Sequence, residues 1–144
     1  MTDQPGPTFQ VVFDAADPHA VARFWAAALG YEKEDHTAVV DGLLAAGHLT
    51  ADEVIEVDGG RGFAAVTAAI DPAGVRPRLF FQQVPEAKVV KNRVHLDIRV
   101  GDADLDAEVE RLQALGATFA WETADRGPRV VTLRDPEGNE LCLS

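Results

Sequence analysis

Several residue types that would narrow the function of this chain are scarce in its 144 residues. There is one cysteine, Cys142, so no internal disulfide forms and no multi-cysteine zinc site can be built. Basic residues are few: 13 Lys and Arg stand against 24 Asp and Glu, for a formal net charge of -11. No nucleic-acid partner is expected from that balance, because phosphate contacts need a basic face. Long apolar runs are missing too, none approaching the roughly 20 residues of a spanning helix. Met1–Thr8 has neither the basic nor the apolar region of a signal peptide. No membrane attachment is expected, and the cytoplasm is the expected location. What remains is 47% hydrophobic and 26% charged, the profile of a globular chain with enough apolar material for one core.

The chain repeats itself once. Gln10-Val-Val-Phe-Asp-Ala-Ala-Asp17 matches His95-Leu-Asp-Ile-Arg-Val-Gly-Asp102 at an offset of 85, and Leu29-Gly30 matches Leu115-Gly116 at 86. Each copy then reaches an Asp-Pro-x-Gly turn, Asp71-Pro-Ala-Gly74 and Asp135-Pro-Glu-Gly138, followed by a short apolar strand, Leu79-Phe80-Phe81 and Leu141-Cys142-Leu143.

Local signals assign the parts. Phe9, Val11 and Phe13 alternate with more polar neighbours, as do Val94, Leu96, Ile98 and Val100, which predicts half-buried strands. Asp17-Pro18 caps a helix over about 18–29 that stops at Gly30. Leu105, Val109, Leu112 and Leu115 predict a second helix over about 104–115, with Asp102 or Asp104 as cap and Gly116 as stop. Segments near 117–122 and 129–134 read as strands. The fold class expected is therefore α+β, with two tandem βαβββ modules: one over about 8–86, the other over about 91–144.

Gly30 to Asp71 spans 41 positions while Gly116 to Asp135 spans 19. The first module thus carries an insert, about 32–60. His36–Ala46 has partly helical spacing, and Thr50-Ala-Asp-Glu53 is a capping-box pattern that starts another short helix. Gly59-Gly60-Arg61-Gly62 reads as a flexible return, because the Lys-Ser or Lys-Thr of a phosphate loop is absent.

The two modules, Phe24-Trp25 ahead of Leu29-Gly30-Tyr31, and Asp135-Pro-Glu-Gly-Asn-Glu140-Leu together resemble the vicinal oxygen chelate superfamily of glyoxalase I, extradiol dioxygenases and bleomycin-resistance proteins. Pro77–Glu86 followed by Lys91-Asn-Arg-Val-His-Leu-Asp97 is similar, more narrowly, to glyoxalase-like domains of unassigned function. The resemblance implies a cupped mixed sheet around a cavity. It also implies a divalent ion (nickel, cobalt, manganese, iron or zinc) held by residues of the first and last strands. First-strand positions carried over are Gln10 and His95. The last-strand position falls by strict count on Cys142, with Glu140 two residues earlier on the same face, and in the first module on Arg78. The metal set expected is Gln10, His95 and Glu140.

The residues can also be read without the family. Arg93, His95, Asp97 and Arg99 face one side of their strand and the apolar residues the other, which suits a wet cavity or, equally, a row of mutually neutralising surface charges. Glu140 follows a tight turn, where a carboxylate can ligate an ion, act as a general base, or stand solvated. His95 and Glu140 are the catalytic candidates. Arg78, Phe80, Gln82, Arg93 and Asp97 are candidates for orienting a small ligand, Arg93 by its planar fork unless it pairs with Asp97. Phe24, Trp25, Phe119 and Trp121 read as core, Cys142 as an inert core thiol, and His19, His36 and His48 as exposed.

Two functions fit. One is a divalent-metal-dependent lyase or isomerase acting on a small oxygen-bearing substrate. The other is a metal-free protein that binds or sequesters a small molecule, with Arg78 in the ligand gap. A homodimer is expected in either case, as superfamily members commonly pair.

Overall fold

A computed structural model describes residues 5–100 and 104–144. In chain order the elements are β1 (Val11–Ala15), α1 (Pro18–Leu29), β2 (Glu32–Lys33), α2 (Thr37–Ala45), a single 3-10 turn (Ala51–Glu53), β3 (Val54–Val57), β4 (Gly60–Phe63), β5 (Val66–Ile70), β6 (Leu79–Gln83), β7 (Leu96–Ile98), α3 (Leu105–Ala114), β8 (Thr118–Thr123), β9 (Val130–Arg134) and β10 (Glu140–Leu143). They form two four-stranded mixed sheets, β1-β6-β5-β2 and β7-β10-β9-β8, and one separate hairpin, β3-β4. In both sheets the first strand of the βαβββ unit lies at the edge and pairs in parallel with the last. The fold is α+β, and the repeat in the sequence is a repeat in topology.

Helix α1 starts where the Asp17 carboxylate accepts the His19 and Ala20 amides at 3.1 and 3.0 Å, with Pro18 in the first turn. It ends at Gly30, whose φ of 66° belongs to the left-handed region that favours glycine. Helix α3 has Asp104 at its N-cap without a side-chain bond; the alternative cap, Asp102, lies outside the described residues.

The segment between β2 and β5 is less helical than its sequence pattern suggests. Only Thr37–Ala45 is α-helix, and Thr50-Ala-Asp-Glu53 closes a capping box around one 3-10 turn. The glycine stretch read as a flexible return is instead the turn and outer strand of the hairpin: Gly60 pairs with Val57 and Phe63 with Val54. Strand β4 docks on α2, where Thr37 Oγ1 accepts the Arg61 amide at 2.9 Å. A Cβ on Gly60 would meet that hydroxyl at 2.3 Å, so the close approach needs glycine.

One core serves both modules. Val21 and Trp25 of α1, Leu105 and Leu112 of α3, Leu79 and Phe81 of β6, and Leu133, Leu141 and Leu143 of β9 and β10 belong to a single buried cluster. Polar contacts also cross between modules. The Glu137 carboxylate accepts the Ala16 and Asp17 amides at 2.6 and 2.8 Å, and Arg111 donates to the Ala27 and Ala28 carbonyls at the end of α1. No helix among the described residues is long and apolar enough to cross a membrane.

Candidate functional site

The two Asp-Pro-x-Gly turns set the last strands. Asp71 accepts the Ala73, Val75 and Arg76 amides and the Arg76 guanidinium; Asp135 accepts the Glu137 and Asn139 amides, the Asn139 side chain and the Trp25 indole N–H. The segment leading from the first turn into its strand is two residues longer. Val11 pairs with Leu79, and Leu96 with Leu141, so Arg78 stands in module one where Glu140 stands in module two, and Phe80 where Cys142 stands. A strict count from the glycine, which equates Arg78 with Cys142, misses those two residues.

On the outward face of the second sheet the register aligns one row across four strands: Asp97 beside Cys142, Cys142 beside Thr132, Thr132 beside Trp121. His95, just before β7, bonds through Nδ1 to Asp97 Oδ1 at 2.9 Å, and the same nitrogen is 3.9 Å from Cys142 Sγ. The thiol also contacts Thr132 Oγ1 at 3.4 Å. Burial pushes the Cys142 thiol up; the Thr132 contact opposes that shift and the Asp97 carboxylate reinforces it. Cys142 therefore lies on the polar face, beneath a histidine, while its neighbours Leu141 and Leu143 fill the core. Strand alternation in the sequence already puts Cys142 on the face of Glu140; its reading as core rests on residue type alone.

A cavity of about 580 Å³ lies between the first strands of the two modules. Its walls include Val11–Ala16, Trp25, Asn92, His95, Asn139 and Glu140, so two of the three expected metal ligands share one cavity. Gln10 is not in its wall: its amide oxygen accepts Arg78 Nη1 at 3.0 Å, while the rest of that guanidinium grips Glu34 at 2.6 and 2.8 Å. Glu140 is 5% exposed and accepts the Asn92 amide at 3.0 Å, with Lys88 at 3.8 Å and Arg134 at 3.9 Å. Burial alone would raise its carboxyl. The Asn92 and Glu140 amides and the nearby lysines outweigh burial and hold it below the usual range. Asn92 and Lys88 were not legible as site residues, since nothing in their local pattern marks them.

The ligand-orienting candidates are spread out. Phe80 and Gln82 lie on the outward face of the first sheet, Gln82 donating to Asp14 at 2.8 Å and Phe80 lying under the Arg78 guanidinium. Arg93 is exposed and, among the described residues, makes no ion pair; Asp97 pairs with His95 instead. Phe24 and Trp25 are core, whereas Phe119 and Trp121 are 52% and 37% exposed. A bulge between these last two residues shifts the register of β8, and strand alternation cannot say which face meets a helix.

His19, expected at the surface, is 6% exposed because the hairpin covers it. Its Nε2 donates to the Phe63 carbonyl at 2.8 Å, which leaves Nδ1 a bare acceptor without a partner beside a second cavity of about 240 Å³. Burial lowers its pKa, partly offset by the Phe63 bond, with Lys33 adding to the lowering. A histidine pKa depressed by folding gives stability that is complete above the unfolded value of 6.5 and is lost as pH falls through the folded value. Urea midpoints measured between about pH 7 and pH 5 are expected to fall, and the fall to be shallower in His19→Gln. Parallel curves for the two proteins would sink this assignment.

Residues 10–144 match the family model described as a glyoxalase-like domain, and the chain belongs to that family. Solved structures share the fold. The fosfomycin resistance protein FosX from Mesorhizobium loti aligns with a TM-score of 0.63 at 14% identity, over 97% of this chain and 91% of its own. A glyoxalase/bleomycin resistance protein/dioxygenase family enzyme from Burkholderia phytofirmans aligns at 0.59 and 15% identity, over 93% and 94%. A variant of FosX from Listeria monocytogenes, solved with Mn(II) and 1S,2S-dihydroxypropylphosphonic acid, aligns at 0.61 and 13% identity, over 97% and 90%. No curated protein matches. Among the described residues His95, Asp97 and Cys142 place a nitrogen, an oxygen and a sulfur within 4.8 Å of one another, a donor set whose chemistry fits a divalent ion.

Proposed function

We propose that this glyoxalase-like protein is a divalent-metal-dependent lyase or isomerase that takes a small substrate with neighbouring oxygens into the cavity between its modules. The observation that carries this reading is that His95, just ahead of β7, and Glu140, in the neighbouring β10, wall the same cavity. A bound ion would supply a Lewis acid for the substrate's oxygens. His95 offers the imidazole nitrogens that hold the ion or move a proton. Glu140, kept ionised, fixes the Asn92 amide and so the cavity wall, and its negative charge favours the cationic side of a polarised substrate. Val12, Ile70 and Trp121, exposed on the outward sheet faces, support a homodimer in which a second copy covers them.

Chelator-stripped protein, reloaded separately with nickel, cobalt, manganese, iron(II) and zinc, would be offered α-keto-aldehyde adducts and catechols. Metal-dependent turnover of one class is expected, falling by about 100-fold or more in His95→Ala. A compound that stabilises stripped and reloaded protein equally, with no turnover, would replace this reading by metal-free sequestration.

A further inference from the structure

We propose that the ion is held by His95, Asp97 and Cys142, with Cys142 bound as a thiolate. The chain would then select borderline ions such as zinc and cobalt over manganese. This deepens the metal-dependent reading above and rests on it.

The sheet builds the donor set. Cys142 and Asp97 are register partners on parallel strands, and His95 is two residues before Asp97 on the same face. Three side chains of different chemistry therefore converge without any loop having to close. For a tetrahedral zinc-like ion, bond lengths of about 2.0–2.3 Å place a nitrogen and a sulfur about 3.5 Å apart and a nitrogen and an oxygen about 3.3 Å apart. The observed 3.9 Å from His95 Nδ1 to Cys142 Sγ and 2.9 Å to Asp97 Oδ1 each need a shift of only a few tenths of an ångström. Three protein donors leave a coordination position open, as in catalytic zinc sites. His95 also lines the 580 Å³ cavity, so the cluster borders the space a substrate would enter.

The other donors are already engaged. The Gln10 oxygen is held by Arg78, and the Glu140 carboxylate by the Asn92 amide and two flanking cations. Either residue could reach an ion only by giving up these contacts. Cys142 has no second cysteine in its own chain, so no intrachain disulfide competes for its thiol. Binding would replace the thiol proton with the metal and release that proton to solvent, and the His95 Nδ1–Asp97 Oδ1 hydrogen bond would give way to a bond from each atom to the ion, with the imidazole proton on Nε2. A thiolate is a softer donor than a carboxylate, which is the physical basis for the expected preference.

The test uses the whole chain, stripped of metal and titrated with cobalt(II). One cobalt per chain is expected, with a near-ultraviolet thiolate-to-cobalt charge-transfer band that stoichiometric zinc bleaches and an equal concentration of manganese does not. Cys142→Ser should lose the band and bind cobalt about tenfold more weakly or worse. His95→Ala and Asp97→Ala should weaken binding, and Gln10→Ala should keep the band. Parent protein that binds cobalt without this band, or binds no cobalt, overturns the proposal whether or not the variants fold. Metal-dependent turnover without the band would defeat the ligand assignment alone. The band in a protein that turns nothing over would defeat the enzyme reading alone.

Discussion

Asp135→Ala is expected to lower stability by about 3–5 kcal/mol, read as a fall in melting temperature on the order of 10 °C. Asp135 is 3% exposed and is the hub of its turn. One carboxylate oxygen accepts the Glu137 and Asn139 amides, each at 2.9 Å, and the other accepts the Asn139 side chain and the Trp25 indole, also at 2.9 Å. Alanine leaves four donors without their acceptor, one of them the indole N–H of a residue 1% exposed. A buried donor that loses a charged partner forfeits far more than the net worth of an average hydrogen bond. Asp135→Asn should cost less, since it keeps one acceptor oxygen. A loss below about 1 kcal/mol in the alanine variant, measured by urea unfolding, would show that water reaches these donors.

Trp25→Ala is expected to cost a comparable 3–5 kcal/mol, by a different route. The ring packs at 5.0 Å between centroids on Phe13 and edge-on at 5.6 Å to Phe24, so its removal opens a void in the core shared by the two modules. Trp25→Phe should restore most of the packing but not the bond to Asp135. A double-mutant cycle of Trp25→Phe with Asp135→Ala is therefore expected to show coupling of about 1–2 kcal/mol. Additive single effects would mean that the bond between the modules contributes nothing beyond packing. Because Trp25 also walls the 580 Å³ cavity, its truncation should alter ligand affinity even where the protein still folds.

The parts legible in the sequence are those fixed by local rules. Asp17-Pro18 and Gly30 bound α1 at the residues the capping logic names, and the duplicated order of strand, helix and three strands is the order of both four-stranded sheets, with α2 and the β3-β4 hairpin inserted in the first. What the sequence hides depends on contacts from afar. His19 is buried by Phe63, 44 positions later, and β4 approaches α2 where Gly60 leaves room for the Thr37 hydroxyl. At the site, alternation groups His95 with Asp97 and Glu140 with Cys142, but only the parallel register of β7 and β10 brings the two pairs side by side. The longer first turn, which displaces Arg78 by two residues, cannot be seen by counting from the glycine.

The contacts between modules also set a timetable for synthesis. Trp25 meets Asp135 across 110 positions of sequence, and the amides of Ala16 and Asp17 wait for Glu137 across 121 and 120. At about 5–20 residues per second, the ribosome needs on the order of ten seconds to cover that distance. Throughout that interval the inner face of α1 has at most its own sheet to cover it, and that sheet is complete only once β6 is made. A growing chain stalled before Asp135 should therefore be adhesive and held by chaperones, and slowing translation near residue 90 should prolong that vulnerable state rather than give the first module time to finish folding.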